Sequence, residues 1–241
     1  MIDIASFVIH LDRAEGRLPN VANLLDRLGP AAEQLQAVDG TQMSADEIAR
    51  HIGGAFLPRY PFPLRRAEVA TFLSHRRSWQ RIVDRALPMA LVIEDDATLG
   101  PGFEPALALA LRHVTDGMLI RFPVKRRERF RQILAKDGGI RLGRPRTVAL
   151  GMQTQLVTQG AARQLLAMTD RFDRPVDTFL QARWIHHTDV LSVLPSGVGE
   201  MSGRLGGSLI GEKVGLLDRL RRELRRPVFR LATAIRSRTC P

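Results

Sequence analysis

Three consecutive carboxylates, Glu94, Asp95 and Asp96, end the apolar run "ALVI" (90–93) in a chain whose formal net charge is +11. Adjacent carboxylates repel one another, and each resists leaving water unless a cation compensates it. The compensating partner is a Lys or Arg from elsewhere in the chain, a metal ion, or solvent alone. Two or three oxygen ligands from one short loop suit Mg²⁺ or Mn²⁺, hard cations that keep positions open for substrate phosphates. Such an ion would bridge the protein and a diphosphate and neutralise charge developing on that leaving group. The same triplet also reads as a helix cap or a solvated turn, and by itself it selects no substrate. Glu68 and His75 are seven residues apart, close to two helical turns, and so share a helix face. Ser74 and His75 are neighbours that point in different directions on a helix, which argues against a Ser–His nucleophilic pair. His186-His187 reads as a helix end rather than a ligand pair.

The triplet needs a strand to aim it. "SFVIHL" (6–11) is β-rich and apolar, and Leu18, Val21, Leu24, Leu25 and Leu28 then recur at helical spacing up to a C-capping Gly29. "EQLQAV" (33–38) supplies a second strand, so the chain opens strand–helix–strand, the grammar of a parallel α/β sheet. Ser44 and Glu47 form a capping box for a short helix at 44–52, and a Pro/Gly-rich loop precedes a helix over 66–86. "PMALVI" (88–93) is a strand, and in an open α/β sheet ligands bind at the carboxyl ends of strands, where the triplet falls. A proline-opened helix follows, then a strand at 117–122, and then "PVKRRERFRQILAKDGG", a polar and strongly basic excursion. "TVALGMQTQLVT" gives one or two further strands, "QGAARQLLAMT" a helix, "RPVDTFLQARWIHH" a shorter helix and "DVLSVLP" a strand. A glycine- and serine-rich loop (196–211) leads into the tail.

Aromatic residues make up only 5% of the chain, so its core must rest on Leu, Val, Ile and Ala. A single cysteine, Cys240, excludes an internal disulfide and a Cys-based zinc site, and favours the reducing cytoplasm. "MIDIASFVIHLD" lacks the basic flank of a signal peptide, and no run approaches the ~18 apolar residues of a transmembrane helix. From Lys213 to Pro241 nine Lys/Arg face only Asp218 and Glu223, so most of the positive charge resides in the tail. There Leu216, Leu217, Leu220, Leu224, Val228, Phe229 and Leu231 recur at helical spacing opposite arginines, the pattern of an amphipathic helix lying on an anionic membrane. A helix docked on the body with a solvated basic face fits the same pattern. Pro227 is expected to kink or divide it. Nucleic acid is not the expected partner, because no stacking aromatics or binding motif accompany the charge. "KRRERFR" (125–131) reads as a solvated loop or a contact for the phosphates of an anionic lipid.

Four co-linear segments together resemble glycosyltransferase family 25. "FVIHLDRAEGR" with the following "AVDG" resembles its opening V-I-N-L-D-R-x-x-x-R and A-V-D-G. "AEVATFLSHRRSWQRIV" resembles its G-E-I-G-C-x-x-S-H-x-x-x-W, keeping Glu68, Ser74, His75 and Trp79. "ALVIEDDATL" matches the E-D-D motif, and "GMQTQLVTQGAARQLL" with "RPVD" follows the last segment and its P-x-D. The likeness spans about residues 6–210. His10 stands where the family usually has Asn, Ala67, Ala70 and Thr71 replace Gly, Gly and Cys, and Gln155 replaces an aromatic.

This resemblance implies a GT-A-like, Rossmann-type nucleotide-sugar-binding domain over 1–211, with the basic amphipathic helix of 212–241 appended. It implies an inverting, Mn²⁺- or Mg²⁺-dependent hexosyltransferase that moves a sugar, often galactose, from a UDP-sugar to a lipooligosaccharide or another cell-surface glycan. The expected place is the inner face of the cytoplasmic membrane. Carried onto this chain, Asp95 and Asp96 are metal ligands, and Glu94 orients the loop or contacts the nucleotide. Arg13 and Arg17 bind the diphosphate, to which Arg presents a bidentate fork. Asp12 or Asp39 accepts from ribose or base. Asp177 is the general base beside the acceptor hydroxyl, or else an N-cap, and Glu68 is a second catalytic candidate. The altered residues leave a second class open, a catalytically weakened relative that binds nucleotide or scaffolds at a membrane surface. A metal-dependent phosphohydrolase is a third class, separable by phosphate release from simple esters.

Overall fold

Phe7 and Ile9 point to one side of the first strand and Val8 to the other, and both sides are buried. That double burial explains the continuous apolar run of residues 6–10, since a strand covered on both faces has no need to alternate. The computed structural model describes residues 4–54, 56–125, 127–201 and 216–239, with side chains in the last stretch described from 225 to 238. In chain order the elements are β1 (Ser6–His10), α1 (Leu18–Leu28), β2 (Ala32–Gln36), α2 (Ala45–His51), α3 (Arg66–Asp84), β3 (Met89–Glu94), β4 (Ala97–Leu99), α4 (Phe103–His113) and β5 (Met118–Arg121). There follow β6 (Phe130–Asp137), β7 (Ile140–Pro145), β8 (Thr154–Thr158), α5 (Gln159–Ala167), α6 (Val176–Gln181), α7 (Arg183–His186), β9 (Asp189–Leu194), β10 (Val198–Glu200) and α8 (Leu216–Thr239).

Eight strands form one mixed sheet in the order β2-β1-β3-β8-β5-β9-β7-β6. β1 pairs in parallel with both β2 and β3, whereas β8 runs antiparallel to its neighbours β3 and β5. One face packs Phe7, Ile9, Ala90 and Val92 against Phe72, Trp79 and Ile82 of α3 and Leu165 of α5. The other packs Val8, Leu91 and Ile93 against Val21, Leu24 and Leu28 of α1 and Phe103 and Leu107 of α4. The result is a Rossmann-like α/β fold, helix on both faces of a sheet. Gly29 ends α1 with φ 87°, the conformation that favours glycine, and Ser44 and Glu47 form the expected capping box of α2.

Three local expectations change. Within the basic excursion at 123–139, Phe130–Asp137 form a strand and half of a hairpin, β6–β7, closed by Gly138 and Gly139 at φ 49° and 89°. Its alternation is hidden because β6 is the exposed sheet edge, where charged side chains on both faces discourage edge-to-edge pairing. "TVALGMQTQLVT" yields one strand, β8, within the one or two expected, whereas the helix expected at 174–187 breaks into α6 and α7 at Ala182. The small β4–β10 sheet has no sequence signal of its own. Gly197 makes it possible: a Cβ there would lie 2.1 Å from the Phe103 amide nitrogen. Beyond residue 201 the glycine- and serine-rich loop lies outside the described residues, as does Cys240. α8 is not divided at Pro227.

The excursion also carries a buried ion pair. Arg121, at the end of β5, donates to Glu128 at 2.9 Å and to the Gly151 carbonyl at 2.6 Å, and both charged side chains are almost fully buried. Burial pulls the Arg121 pKa below its ordinary value, opposed by Glu128 and Asp177. Removing one member of such a pair strands the other. Arg121→Met is therefore expected to destabilise the fold by about 3–5 kcal/mol in urea unfolding, and adding Glu128→Leu to recover most of that loss.

Candidate functional site

The strand order reverses between β1 and β3. From β1 the chain moves outward to β2, then returns to the other side of β1 as β3, and the crevice at such a switch point is where α/β sheets bind ligands. Here it opens a cavity of about 410 Å³ at the carboxyl ends of β1 and β3. The acidic triplet stands on its wall, facing the amino-terminal end of α3. Gly40 of "AVDG" closes in tightly, because a Cβ at that position would lie 2.9 Å from the Arg66 carbonyl oxygen.

The three carboxylates have three different fates. Asp95 is buried, and its backbone amide extends the β1–β3 pairing by donating to Ile9 at 3.1 Å. Its Oδ2 accepts from Nδ1 of His10 at 2.8 Å and its Oδ1 from Nη1 of Arg17. Asn20 fastens the same turn, donating to the Asp95 and Ala97 carbonyls at 2.8 and 2.9 Å. Burial works against the Arg17 charge, but the bond to Asp95 and the fields of Asp95, Asp96 and Glu94 outweigh it and raise its pKa. Glu94 lies 3.1 Å from Nε2 of His75. Asp96 is left over. Its Oδ1 is buried with no hydrogen-bond partner among the described residues, and Oδ2 is 3.6 Å from Arg17. Burial, then repulsion from Glu94, push the Asp96 carboxyl up to about 7, with Asp95 and Glu200 adding smaller repulsions.

The compensating cation for the triplet is thus partly internal. Arg17, expected on the diphosphate, is engaged by Asp95, and Asp95, expected as a metal ligand, already accepts at both oxygens. His10 takes the place of the family's usual Asn by offering a ring N–H to that same carboxylate. Arg13 reaches the cavity, half-exposed, and donates to Asp39 at 2.9 Å. Asp12 and Asp39 line instead an adjoining groove of about 810 Å³ that shares Arg13 with the cavity. Asp12 accepts from Gln36 at 2.6 Å, and Asp39 accepts from the amide and hydroxyl of Thr41. Although Asp39 loses some hydration, those bonds and Arg13 hold its carboxyl below the ordinary range.

Glu68 and Asp177 are absent from the cavity wall. Glu68 caps α3, accepting from the Arg65 amide at 2.8 Å. Asp177 is the second residue of α6 rather than its N-cap, and accepts from the amides of Gly151 at 3.2 Å and Thr178 at 2.6 Å. It thereby pins the loop that carries Gln153 to the cavity wall. Ser74 ties α3 to the second strand's exit, donating to Ala70 and accepting from the Val38 amide, both at 2.8 Å. His187 ends α7 in the left-handed region, and His186 is buried with its pKa lowered to about 4 by burial, a structural pair as expected. Residues that went unread in the sequence also line the cavity: Arg65 and Arg66 at the start of α3, Thr41, Gln153 and Glu200. The paired arginines before a helix were a readable signal. Glu200 was not, because the β4–β10 pairing and the hydrogen bond donated by the Met201 amide to the Asp96 backbone carbonyl (2.8 Å) are what bring it beside the triplet.

Residues 3–180 match the family model described as Glycosyltransferase family 25 (LPS biosynthesis protein). The chain belongs to glycosyltransferase family 25. A family 25 member from Drosophila pseudoobscura pseudoobscura is 32% identical over 75% of this chain and 30% of its own length. Procollagen galactosyltransferase 1 of Danio rerio is 34% identical over 47% of this chain and 19% of its own. A mouse relative, 33% identical over 45% of this chain and 19% of its own, is named inactive glycosyltransferase 25 family member 3. The chain therefore spans less than a third of the length of these family 25 relatives.

A divalent cation fits this site through Asp96, a hard oxygen donor on the cavity wall with one buried oxygen left without a partner among the described residues. Among the described residues no group of three His, Cys, Asp or Glu side chains forms a ready-made cage. That is the arrangement Mg²⁺ tolerates best, one or two carboxylates with substrate phosphates completing the shell. The raised Asp96 pKa has a direct consequence for stability. The folded protein keeps this proton up to about pH 7 while the unfolded chain releases it near pH 4, so stability falls as pH rises between those values. Asp96→Asn removes the effect. In chelator it is expected to unfold with the wild type at pH 4 and to exceed it by about 2–4 kcal/mol at pH 8.

Proposed function

We propose that the chain is an inverting glycosyltransferase that takes a hexose from a UDP-sugar at the β1–β3 cavity. The observation that carries this reading is the Asp96 carboxylate at the switch point, one oxygen of which has no partner among the described residues, beside the Asp95–Arg17 pair and in one cavity with Arg13, Arg65 and Arg66. Arginines suit a diphosphate, and the amino-terminal end of α3 adds a favourable dipole. Mn²⁺ or Mg²⁺ held by Asp96 would supply Lewis-acid neutralisation of the departing diphosphate. Asp95 fixes Arg17 and the turn, so that Asp96 points at the ligand. Glu94, held by His75, lies at the nucleotide side. Asp12 and Asp39 sit in the adjoining groove, within the same sheet edge, for contacts to ribose or base. Glu68 acts by fixing the start of α3, and Asp177, expected as the base, acts instead by pinning the loop that brings Gln153 to the cavity wall, within a GT-A-like arrangement.

Galactose is favoured as the sugar by the zebrafish relative's name, and a lipooligosaccharide-type acceptor by the family description. The second reading, a weakened nucleotide-binding relative, draws on the relatives named inactive, in mouse and in cattle, where the match is called probable inactive. Turnover separates the two. With UDP-galactose, UDP-glucose, UDP-N-acetylglucosamine and UDP-N-acetylgalactosamine as donors, UDP release is expected only with Mn²⁺ or Mg²⁺, and Asp96→Ala to lower it at least about 100-fold. Full metal-independent release by Asp96→Ala would overturn the metal assignment. Nucleotide binding by calorimetry without turnover of any donor would establish the weakened relative instead.

A further inference from the structure

α8 packs on the body with the wrong side inward for a water-soluble helix. Phe229 meets Tyr60 edge-on at 5.4 Å and lies beneath the Arg174 guanidinium at 5.8 Å. Thr233 and Ser237 follow at intervals of four and are buried, and the Ser237 carbonyl accepts from Arg183 at 3.3 Å. Arg226 lies over Phe62 on the same side. Successive steps of four keep Phe229, Thr233 and Ser237 on one face. Val228, Leu231 and Ile235, spaced by three and four, fall on the opposite face and are 69%, 64% and 52% exposed. The helix therefore buries two hydroxyls and leaves three branched apolar side chains in one stripe facing away from the protein. The expectation that Phe229 shares a face with Val228 is corrected here: at 100° per residue it turns inward. The side chains of Leu216, Leu217, Leu220 and Leu224 lie outside the described residues.

Charge identifies what covers the stripe. By helical angle Arg225 lies on one flank and Arg238 on the other, both exposed, and residues 225–241 contain no acidic side chain. A second copy laid along the same stripe would bring arginine flanks against arginine flanks. A bilayer surface rich in anionic lipid neutralises both flanks through its headgroups and receives the apolar stripe at the acyl boundary. No helix among the described residues is long and apolar enough to cross a membrane, so the helix lies on the surface. We propose that the Val228–Leu231–Ile235 face of α8 docks the protein onto an anionic membrane, with the helix anchored to the body through Phe229 and Ser237. This inference is independent of the cavity and of the sugar reaction.

Vesicle co-sedimentation of the full chain tests it. Binding is expected to phosphatidylcholine vesicles containing phosphatidylglycerol, to weaken as salt is raised, and to be lacking with phosphatidylcholine alone. The triple variant Val228→Ser, Leu231→Ser, Ile235→Ser is expected to lower partitioning at least about tenfold. Its thermal midpoint should match the wild type, because these side chains face solvent in the isolated protein. Three outcomes would overturn the proposal: failure of the wild type to bind anionic vesicles, equal binding by the triple variant, or a wild-type dimer in sedimentation velocity that the triple variant dissolves.

Discussion

One buried carboxylate holds the site together. Asp95 sits where β1 and β3 diverge, and its two oxygens are shared between a histidine from β1 and an arginine from the turn before α1. A carboxylate that far from water is tolerated only when both oxygens are met by donors and one donor carries charge. The pair therefore fixes three chain segments relative to one another. Asn20 adds two bonds to the carbonyls of the same turn, so that the backbone after β3 has little freedom. Asp96 follows on that rigid turn, and its direction is inherited from its neighbour.

This division of labour resolves why a basic chain crowds acid at the end of a buried strand. The three carboxylates are not three equivalent ligands. Asp95 is neutralised internally, Glu94 is paired with His75, and Asp96, on the cavity wall, keeps a buried oxygen with no hydrogen-bond partner among the described residues. A group held this way is costly in the empty protein, as its raised pKa records, and that cost is the usual mark of a position arranged for a ligand. The excess positive charge belongs elsewhere. Much of it lies on the C-terminal helix, whose outward face combines arginines with exposed aliphatic side chains.

Much of this was legible in the residues. The continuous apolar run of the first strand, the leucine spacing of α1, the capping box at Ser44 and the placement of the triplet at a strand end all follow from local rules. What was hidden depends on partners distant in sequence. No local pattern says that Arg17 turns toward Asp95 rather than toward a phosphate, since an arginine in the first turn after a strand can do either. Glu200 joins the wall only through a three-residue strand that Gly197 allows to approach α4. The β6 strand escaped because an edge strand with exposed basic side chains carries no apolar alternation, and the inward turn of Phe229 depended on a partner ring in a distant loop.

The central claim is that Asp95 builds the site and Asp96 holds the cation. Electron paramagnetic resonance of Mn²⁺ in the presence of UDP tests it most directly, on the wild type, Asp96→Asn and Asp95→Asn. The account predicts a bound Mn²⁺ spectrum in the wild type that Asp96→Asn abolishes, with Asp95→Asn keeping a bound spectrum of altered shape and reduced occupancy. A wild-type spectrum in Asp96→Asn, together with complete loss in Asp95→Asn, would contradict it.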